Sequence, residues 1–311
     1  MKLFDLHCDT ATRLFLEKQG LYDNNSLHVS LKRAHYIEKY AQVMAIWTNN
    51  KLSDEDGYAR FFDVLKNLEN EVVMNKGRSA LTRNSIQLTD CLHNGKIPLI
   101  LAVEDARILA NDINRLVLLY SCGVRILTLN WYGVTCIGGA HNTDMGLSNF
   151  GIEVVKKCFE LGIVPDVSHC SFSGAEMTLD LAKEYHKPII ASHSDSYTLN
   201  PHSRNLTDVD FKRISELGGL VGINLCPSHL SASDNANLTD IIKHIEHYLS
   251  LGGHKTIAIG GDLDGTNLPN DFGGIEDIYK IANEMQRLNY SNELVEDIMY
   301  YNALNFFIKN I

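Results

Sequence analysis

The sequence predicts a (β/α)₈ TIM barrel, and three observations lead to this fold class. Eight short apolar, β-branched runs recur along the whole chain, stretches with helical spacing separate most of them, and the length of 311 residues suits one barrel-sized domain. Continuous apolar strands separated by helices are typical of a parallel sheet covered on both faces, and eight such units can close into a barrel. A doubly wound open sheet is the structural alternative.

The predicted strands are short and apolar. They comprise Lys2–Leu6, Ala41–Trp47, Ile97–Val103, Arg125–Leu129, Ile163–Val167, Pro188–Ala191, Leu220–Leu225 and Thr256–Ile259. Helical spacing predicts helices at Ile113–Tyr120, Gly151–Leu161, Ala175–Tyr185, Val209–Leu217 and Ile241–Leu251, and two more near Ile275–Leu288 and Asn292–Ile308. Because the last two follow the final strand, we expect the segment of about 273–311 to pack beneath or beside the barrel. With six prolines and no low-complexity tract, a single domain over residues 1–311 is expected.

Composition and charge argue against several classes of function. The 28 Lys and Arg against 38 Asp and Glu give a net charge of -10, which repels nucleic acid and anionic membranes. No apolar run has the length of a signal-peptide core at the amino terminus or of a membrane span elsewhere, so we expect a cytoplasmic protein. The seven cysteines are scattered and lack a Cys-x-x-Cys pair, which predicts neither disulfides nor a cysteine zinc site. Motifs of serine hydrolases and nucleotide-binding loops are missing.

The predicted strand ends carry the groups that metal and acid–base chemistry need. Functional side chains of a barrel lie at the carboxyl ends of its strands. His7 and Asp9 follow the first strand, and their spacing of two puts both side chains on one side of an extended chain, with Cys8 facing away. That spacing suits two ligands to one metal. Four further strand ends supply Glu104, His169, His193 and Asp262.

Together these residues indicate a metal-dependent hydrolase. A single histidine at a strand end is commonly structural, but three imidazoles with carboxylates suit zinc and similar divalent ions, and Glu104 could bridge two of them. Two metals about 3.5–4 Å apart can hold a hydroxide of lowered pKa and polarise a carbonyl. Asp262 would then be the catalytic acid/base, which takes a proton from the nucleophile and delivers it to the leaving amine. The alternative for Asp262 is a structural role as a turn or helix-cap residue.

Five motifs resemble those of the membrane dipeptidase (renal dipeptidase) family, peptidase family M19, among the amidohydrolase-like metal-dependent hydrolases. In chain order they are Phe4-Asp5-Leu6-His7-Cys8-Asp9, Pro165-Asp166-Val167-Ser168-His169, Ala191-Ser192-His193-Ser194, Arg204-Asn205-Leu206-Thr207-Asp208 and Gly260-Gly261-Asp262-Leu263-Asp264-Gly265. The similarity covers nearly the full length, and chance agreement across all five is improbable. It implies a TIM barrel of the metal-dependent hydrolase type.

The resemblance also implies a role for each residue. Its metal ligands would be His7 and Asp9 for one ion, His169 and His193 for the other, and Glu104 as the bridge. Asp262 would be the acid/base. The family uses an arginine to grip the substrate's terminal carboxylate, and Arg204 holds the matching position, where a guanidinium fork can bind a carboxylate bidentately. Tyr197 matches a family tyrosine and would add a hydroxyl to the substrate site.

One segment departs from the family pattern. Better-known members carry a histidine just after the fourth strand that helps stabilise the developing oxyanion, whereas Trp131 holds that place here. The indole N–H of Trp131 and the amide of Asn130 can both donate hydrogen bonds, so both are expected to bind substrate. His141, in the following loop, is another candidate. Asp105 stands where many relatives have glycine and would narrow the pocket.

The predicted function is hydrolysis of dipeptides, including those with a C-terminal D-residue, by a hydroxide that bridges two divalent metal ions. Zinc is the first candidate for both ions. The expected partner is a small peptide substrate, with neither nucleic acid nor membrane, and the resemblance implies a homodimer. One alternative is another amidohydrolase activity, such as an N-acyl amino acid deacylase or a lactam or lactone hydrolase. A non-catalytic, metal-dependent peptide binder is the other alternative.

Overall fold

The computed structural model describes residues 1–233 and 235–311. The strands in these residues are β1 (Lys2–Cys8), β2 (Lys39–Trp47), β3 (Ser79–Thr82), β4 (Ile97–Glu104), β5 (Val124–Thr128), β6 (Val164–Asp166), β7 (Ile190–Ala191), β8 (Leu220–Ile223) and β9 (Ile257–Ile259). The helices are α1 (Thr10–Glu17), α2 (Asp54–Met74), α3 (Ser85–His93), α4 (Ile113–Cys122), α5 (Asn149–Leu161), α6 (Phe172–Tyr185), α7 (Asp208–Glu216), α8 (Pro227–Leu230), α9 (Leu238–Ser250), α10 (Tyr279–Arg287), α11 (Asn292–Glu296) and α12 (Asn302–Asn310).

Eight of these strands form a closed parallel barrel. β1 pairs with both β2 and β9, and β2 pairs with β4, so the sheet has no free edge at this point. The predicted TIM barrel is confirmed, and closure excludes the open sheet. All eight predicted strands are present. β3 was not predicted. It pairs with residues 97–100 of β4, whereas β5 pairs with residues 101–104 of the same strand.

Two apolar layers form on the two faces of the barrel. Along β4, Leu99, Leu101 and Val103 join the outer layer beneath the helices, whereas Ile100 and Ala102 point into the barrel. Side chains of a strand alternate between its faces, so the next inward position is Glu104. Regular alternation therefore places this carboxylate inside the barrel mouth.

A β-bulge in β1 redirects the side chains at its end. Phe4 and Leu6 point into the barrel, and unbroken alternation would send Cys8 inward and His7 outward. Between the pairs Asp5–Gln42 and Cys8–Met44, however, β1 has two residues whereas β2 has only one. The bulge reverses the alternation, so Cys8 packs outward against Met44 and His7 faces the barrel mouth.

The C-terminal helices close the amino-terminal end of the barrel. Phe307 of α12 stacks on Phe4, with ring centroids 5.1 Å apart and an interplanar angle of 8°. Tyr300 and Phe306 join the same buried inner layer. The side-chain amide of Asn302 donates to the carbonyl of Ile257 at 2.9 Å, which fixes α12 beneath β9. These helices fill the end of the barrel opposite to the predicted site.

Local capping chemistry sets the start of the helices that follow the strands. Ser148, Ser171 and Thr207 are the N-cap residues of α5, α6 and α7, and each side chain accepts a hydrogen bond from a backbone N–H of the first turn. Gly162 follows α5 with a left-handed φ of 79°, which a residue without a Cβ adopts at little cost. Among the described helices, none is long and apolar enough to cross a membrane.

Candidate active site

A cleft of about 350 Å³ opens at the carboxyl end of the barrel. Asp9, Glu104, His169, Arg204 and Asp262 line it together with aromatic residues. A larger surface cavity of about 650 Å³ lies at the opposite end of the barrel, where mainly lysine, aliphatic and tyrosine side chains line it. Four of the predicted strand-end residues therefore line the cleft at the end where barrel enzymes carry their sites, and His7 and His193 lie buried beside Glu104.

Glu104 lies between two pairs of potential metal ligands. Its Oε2 is 3.5 Å from Nε2 of His7, which in turn is 3.7 Å from Oδ2 of Asp9. Its other oxygen, Oε1, is 3.0 Å from Nε2 of His169 and 3.8 Å from Nε2 of His193. The two oxygens of one carboxylate thus face different pairs, which is the arrangement a bridging ligand requires.

The donor set fits divalent cations. Nε2 of His7 and Oδ1 of Asp9 are buried and have no hydrogen-bond partner among the described residues. Nε2 of His169 and Nε2 of His193 face each other at 3.0 Å, where a shared proton or a cation is needed to offset lone-pair repulsion. Imidazole nitrogens and carboxylate oxygens in a buried cluster are ligands that zinc and similar ions accept.

Burial and crowding of like charges perturb the pKa of both central carboxyl groups. Loss of solvent, with the nearby Asp9 carboxylate, raises the pKa of Glu104 to about 8. Burial also raises the pKa of Asp262 to about 7, although His7 opposes the shift. Burial lowers the pKa of the His193 imidazole well below its usual value, and His7 lowers it further. The ionised form of these carboxyl groups is therefore unfavourable unless a cation is bound beside them.

The backbone is strained where the strands deliver these groups. His169 and Asp262 have left-handed φ values of 69° and 53°, which residues with a Cβ rarely adopt. The backbone N–H of His141 donates to the His169 carbonyl at 2.7 Å and helps to hold that conformation. Asp105 has a φ of 78°, a backbone conformation that favours glycine. Its side chain is fully buried and does not line the cleft, so it does not narrow the pocket as expected.

Asp262 combines a turn backbone with a side chain in the cleft. Its carbonyl accepts hydrogen bonds from the N–H groups of Gly265 and Thr266, so the turn interpretation is correct for the main chain. Its carboxylate lies within a group of potential ligand atoms that includes those of His7 and Asp9 and spans no more than 4.8 Å. The carboxyl group is thus free for chemistry beside the predicted metal position.

Arg204 lies in the cleft wall among three histidines. Its side chain is buried, Nη2 donates to the His193 carbonyl at 3.4 Å, and Nε has no partner among the described residues. The rings of His202 and His229 pack beside it, tilted by 43° with centroids 4.7 Å apart, and the ring of His141 lies 6.5 Å from that of His202. His202 and His229 are not among the residues predicted from the sequence. Their signal was weak, because His202 lies in a loop well beyond the end of β7 and His229 lies in the short helix α8, beyond the end of β8.

The predicted substrate-binding residues divide into two groups. Trp131 lines the cleft and packs edge-on against Trp47, with ring centroids 5.1 Å apart. Asn130 does not line the cleft: it is fully buried, and its Nδ2 donates to the Gly138 carbonyl at 3.3 Å, because the loop after β5 folds back over it. Tyr197 also lies outside the cleft, edge-on to Phe172 at 5.3 Å. Neither Asn130 nor Tyr197 therefore lines the cleft, and their contact with substrate stays a prediction.

His141 is the third candidate donor, and it does line the cleft. Its Nδ1 lies 2.9 Å from the Ser203 hydroxyl, and its ring centroid is 6.0 Å from that of His169. Burial, reinforced by the charge of Arg204, lowers its pKa to about 4. The ring is therefore neutral near pH 7 and can donate through one nitrogen only.

Comparison with known proteins decides the family. A sequence model of the membrane dipeptidase family (peptidase family M19) matches residues 1–309. The chain belongs to the membrane dipeptidase family. An uncharacterized dipeptidase of Schizosaccharomyces pombe is 32% identical over 246 residues, which cover 73% of this chain and 58% of the yeast protein. The match thus spans little more than half the length of that curated relative.

Solved structures confirm the fold of this membrane dipeptidase family member. The metallopeptidase dipeptidase AC superposes with a TM-score of 0.93 at 23% identity and covers 100% of this chain and 98% of its own. A metallopeptidase of Rhodobacter sphaeroides, liganded with a phosphinate mimic of the dipeptide L-Ala-D-Ala, gives a TM-score of 0.93 at 21% identity, with 100% and 99% covered. The predicted family and barrel are therefore both confirmed.

Proposed function

We propose that this protein is a metal-dependent dipeptidase with a dinuclear site, and that zinc is its ion. The observation that carries the proposal is the position of Glu104, whose two carboxylate oxygens face separate pairs of potential ligands and lie 3.0–3.8 Å from His7, His169 and His193. Family membership supports the peptidase assignment. His7 and Asp9 would hold one ion, and His169 and His193 the other. When bound, the ions supply Lewis-acid polarisation of the scissile carbonyl and a water of lowered pKa.

Asp262 supplies the proton transfers. A general acid/base works best with a pKa near the operating pH, and burial raises the pKa of Asp262 to about 7. One carboxylate oxygen can accept a proton from the attacking water and return it to the nitrogen of the departing amine. The left-handed turn at Gly260 to Gly265 holds the carboxylate in the cleft for both transfers.

Arg204 binds the C-terminal carboxylate of the substrate. Its guanidinium lies in the cleft wall, and its Nε has no hydrogen-bond partner among the described residues. Burial leaves the positive charge poorly solvated, so a substrate carboxylate at this position would stabilise it. The cleft of about 350 Å³ suits a dipeptide better than a longer chain. The ligand of the Rhodobacter structure mimics L-Ala-D-Ala, which supports acceptance of a C-terminal D-residue here.

An amidohydrolase acting on another amide or ester, such as an N-acyl amino acid, is the second candidate. Trp131 and Trp47 give one cleft wall an apolar surface that suits an acyl group. A cytoplasmic location and a homodimer stay predictions from composition and resemblance.

Replacement of Asp262 by asparagine tests the proposed reaction. The variant should lower kcat for L,L- and L,D-dipeptides by about 10²- to 10⁴-fold, because the amide cannot transfer the proton. Metal content, measured by elemental analysis, should stay at the wild-type value. Asp144→Asn, at an exposed position of a loop near the cleft, is the control and should be fully active. An Asp262→Asn variant with wild-type turnover would contradict the role, as would a wild-type protein that cleaves no dipeptide.

A further inference from the structure

A buried hydroxyl and carboxylate lie directly behind His193. The Ser192 hydroxyl oxygen is 2.6 Å from Oδ2 of Asp166 and 2.7 Å from Nδ1 of His193. All three residues are buried, with at most 1% of any residue exposed. This chain of contacts ends at a proposed metal ligand, and the proposed reaction assigns no task to Ser192 or Asp166.

A count of protons fixes the direction of these hydrogen bonds. Asp166 accepts the backbone N–H groups of Ser168 and Ser192 at Oδ1, at 3.0 and 2.9 Å. At Oδ2 it accepts the hydroxyls of Thr128 and Ser192, both at 2.6 Å. Four donors occupy the acceptor sites of the carboxylate, so Ser192 must use its only proton toward Asp166. Ser192 can then only accept, from Nδ1 of His193 at 2.7 Å and from Nδ1 of His7 at 3.4 Å, so the His193 proton lies on Nδ1.

We propose that Ser192 and Asp166 are positioning residues that fix the tautomer of His193 for metal binding. With the proton on Nδ1, Nε2 of His193 presents its lone pair toward Glu104 and His169, where the proposed ion would lie. His169 lacks such support, because its Nδ1 has no hydrogen-bond partner among the described residues. His193 is thus the pre-oriented histidine of its pair. The inference rests on the proposed metal site.

Thr128 provides a matched control for Ser192. Both hydroxyls are buried, and both donate to the same oxygen of Asp166 at the same distance. Only Ser192 also contacts His193. Ser192→Ala and Thr128→Val therefore each remove one hydrogen bond from Asp166, but only the first removes the acceptor of the His193 proton.

Asp166→Asn offers a second, opposite perturbation. The two backbone donors at Oδ1 favour the amide oxygen at that position, which places the amide NH₂ toward Ser192. Ser192 would then accept from the amide and donate to Nδ1 of His193. The His193 proton would move to Nε2, the atom needed for the metal.

Two measurements on the full chain test the inference. The first is zinc and cobalt affinity by competition with a chelator, and the second is the histidine tautomer in the metal-free protein, read from ¹⁵N chemical shifts of the ring nitrogens. Ser192→Ala should weaken the affinity for zinc about 10- to 100-fold and give mixed His193 tautomers, and it also removes the longer contact to His7. Asp166→Asn should show the Nε2–H form, and Thr128→Val should match the wild type in both measurements.

Equal affinities and tautomers in Ser192→Ala and Thr128→Val would overturn the inference, and so would an Nε2–H form of His193 in the wild type. A wild type that binds no metal would instead remove the proposed function. The tautomers of the metal-free protein would still test the hydrogen-bond direction in that case.

Discussion

Replacement of Glu104 by glutamine should stabilise the metal-free protein at alkaline pH although it removes a buried hydrogen-bonding carboxylate. Glu104 is 3% exposed, and burial with the Asp9 carboxylate raises its pKa from 4.5 to about 8. Between these values the folded state retains a proton that the unfolded chain has released. The free energy of unfolding of the wild type therefore falls as pH rises through this window. Glutamine is neutral in both the folded and the unfolded state, so the variant does not lose stability in this way.

The size of the effect follows from the two pKa values. The destabilisation due to Glu104 is about 1 kcal/mol at pH 5 and about 4 kcal/mol at pH 8. The free energy of unfolding of Glu104→Gln relative to wild type should therefore rise by roughly 3 kcal/mol across that range. Urea unfolding in the presence of a chelator at pH 5, 6, 7 and 8, followed by circular dichroism, measures this difference. Glu153→Gln, at an exposed position of α5, is the control.

Added zinc should make the wild type more stable to unfolding than Glu104→Gln. Bound ions stabilise the folded wild type in proportion to the logarithm of the metal concentration divided by Kd. Glu104→Gln would lose the carboxylate oxygen proposed to bridge the two ions, so it should gain less stability from zinc. A difference between the variant and the wild type that stays constant from pH 5 to 8 would refute the account of Glu104. It would mean that the carboxylate is not held among like charges in a dry pocket.

Two further predictions concern the substrate anchor and the barrel end. Arg204→Gln should lower kcat/KM for dipeptides about 10- to 150-fold, which corresponds to about 1.5–3 kcal/mol for hydrogen bonds to a charged group, and should change hydrolysis of dipeptide amides little. Equal losses for both substrate types, or a similar loss in Arg213→Gln at the Asp180 ion pair, would argue against carboxylate binding. Phe307→Ala should reduce the free energy of unfolding by about 3–5 kcal/mol while metal content is unchanged, because the ring stacks on Phe4 inside the closed barrel end. Urea unfolding checks this, with the half-exposed Phe172→Ala as control, and an equal effect of the two changes would be the contrary result.

The sequence predicted which residues meet at the carboxyl end of the barrel, because that depends on strand ends alone. Parallel strands of a barrel bring their carboxyl ends to one rim, so five strand ends with His, Asp or Glu implied one cluster without any knowledge of side-chain contacts. Glu104 also followed from regular alternation along β4. His7 faces the cleft for a different reason than expected, because the bulge in β1 reverses the alternation and Asp9 lies beyond the strand at the start of α1.

Features that depend on loop conformation were not predictable in the same way. The amide of Asn130 binds the Gly138 carbonyl because the loop after β5 folds back, and no spacing rule shows this. His202 and His229 reach Arg204 only because the loop after β7 and the segment from β8 into α8 both fold toward it. β3 was overlooked because its four residues include serine and threonine at both ends and pair only with one strand.

The most direct test of the dinuclear dipeptidase is the metal content per chain, measured by elemental analysis on the same sample that is screened against L,L- and L,D-dipeptides. Two equivalents of zinc together with amino acid release are expected from the two ligand pairs around Glu104. Two equivalents without release would move the substrate to another amide or ester. A pure, folded protein that binds no divalent metal would contradict the central claim.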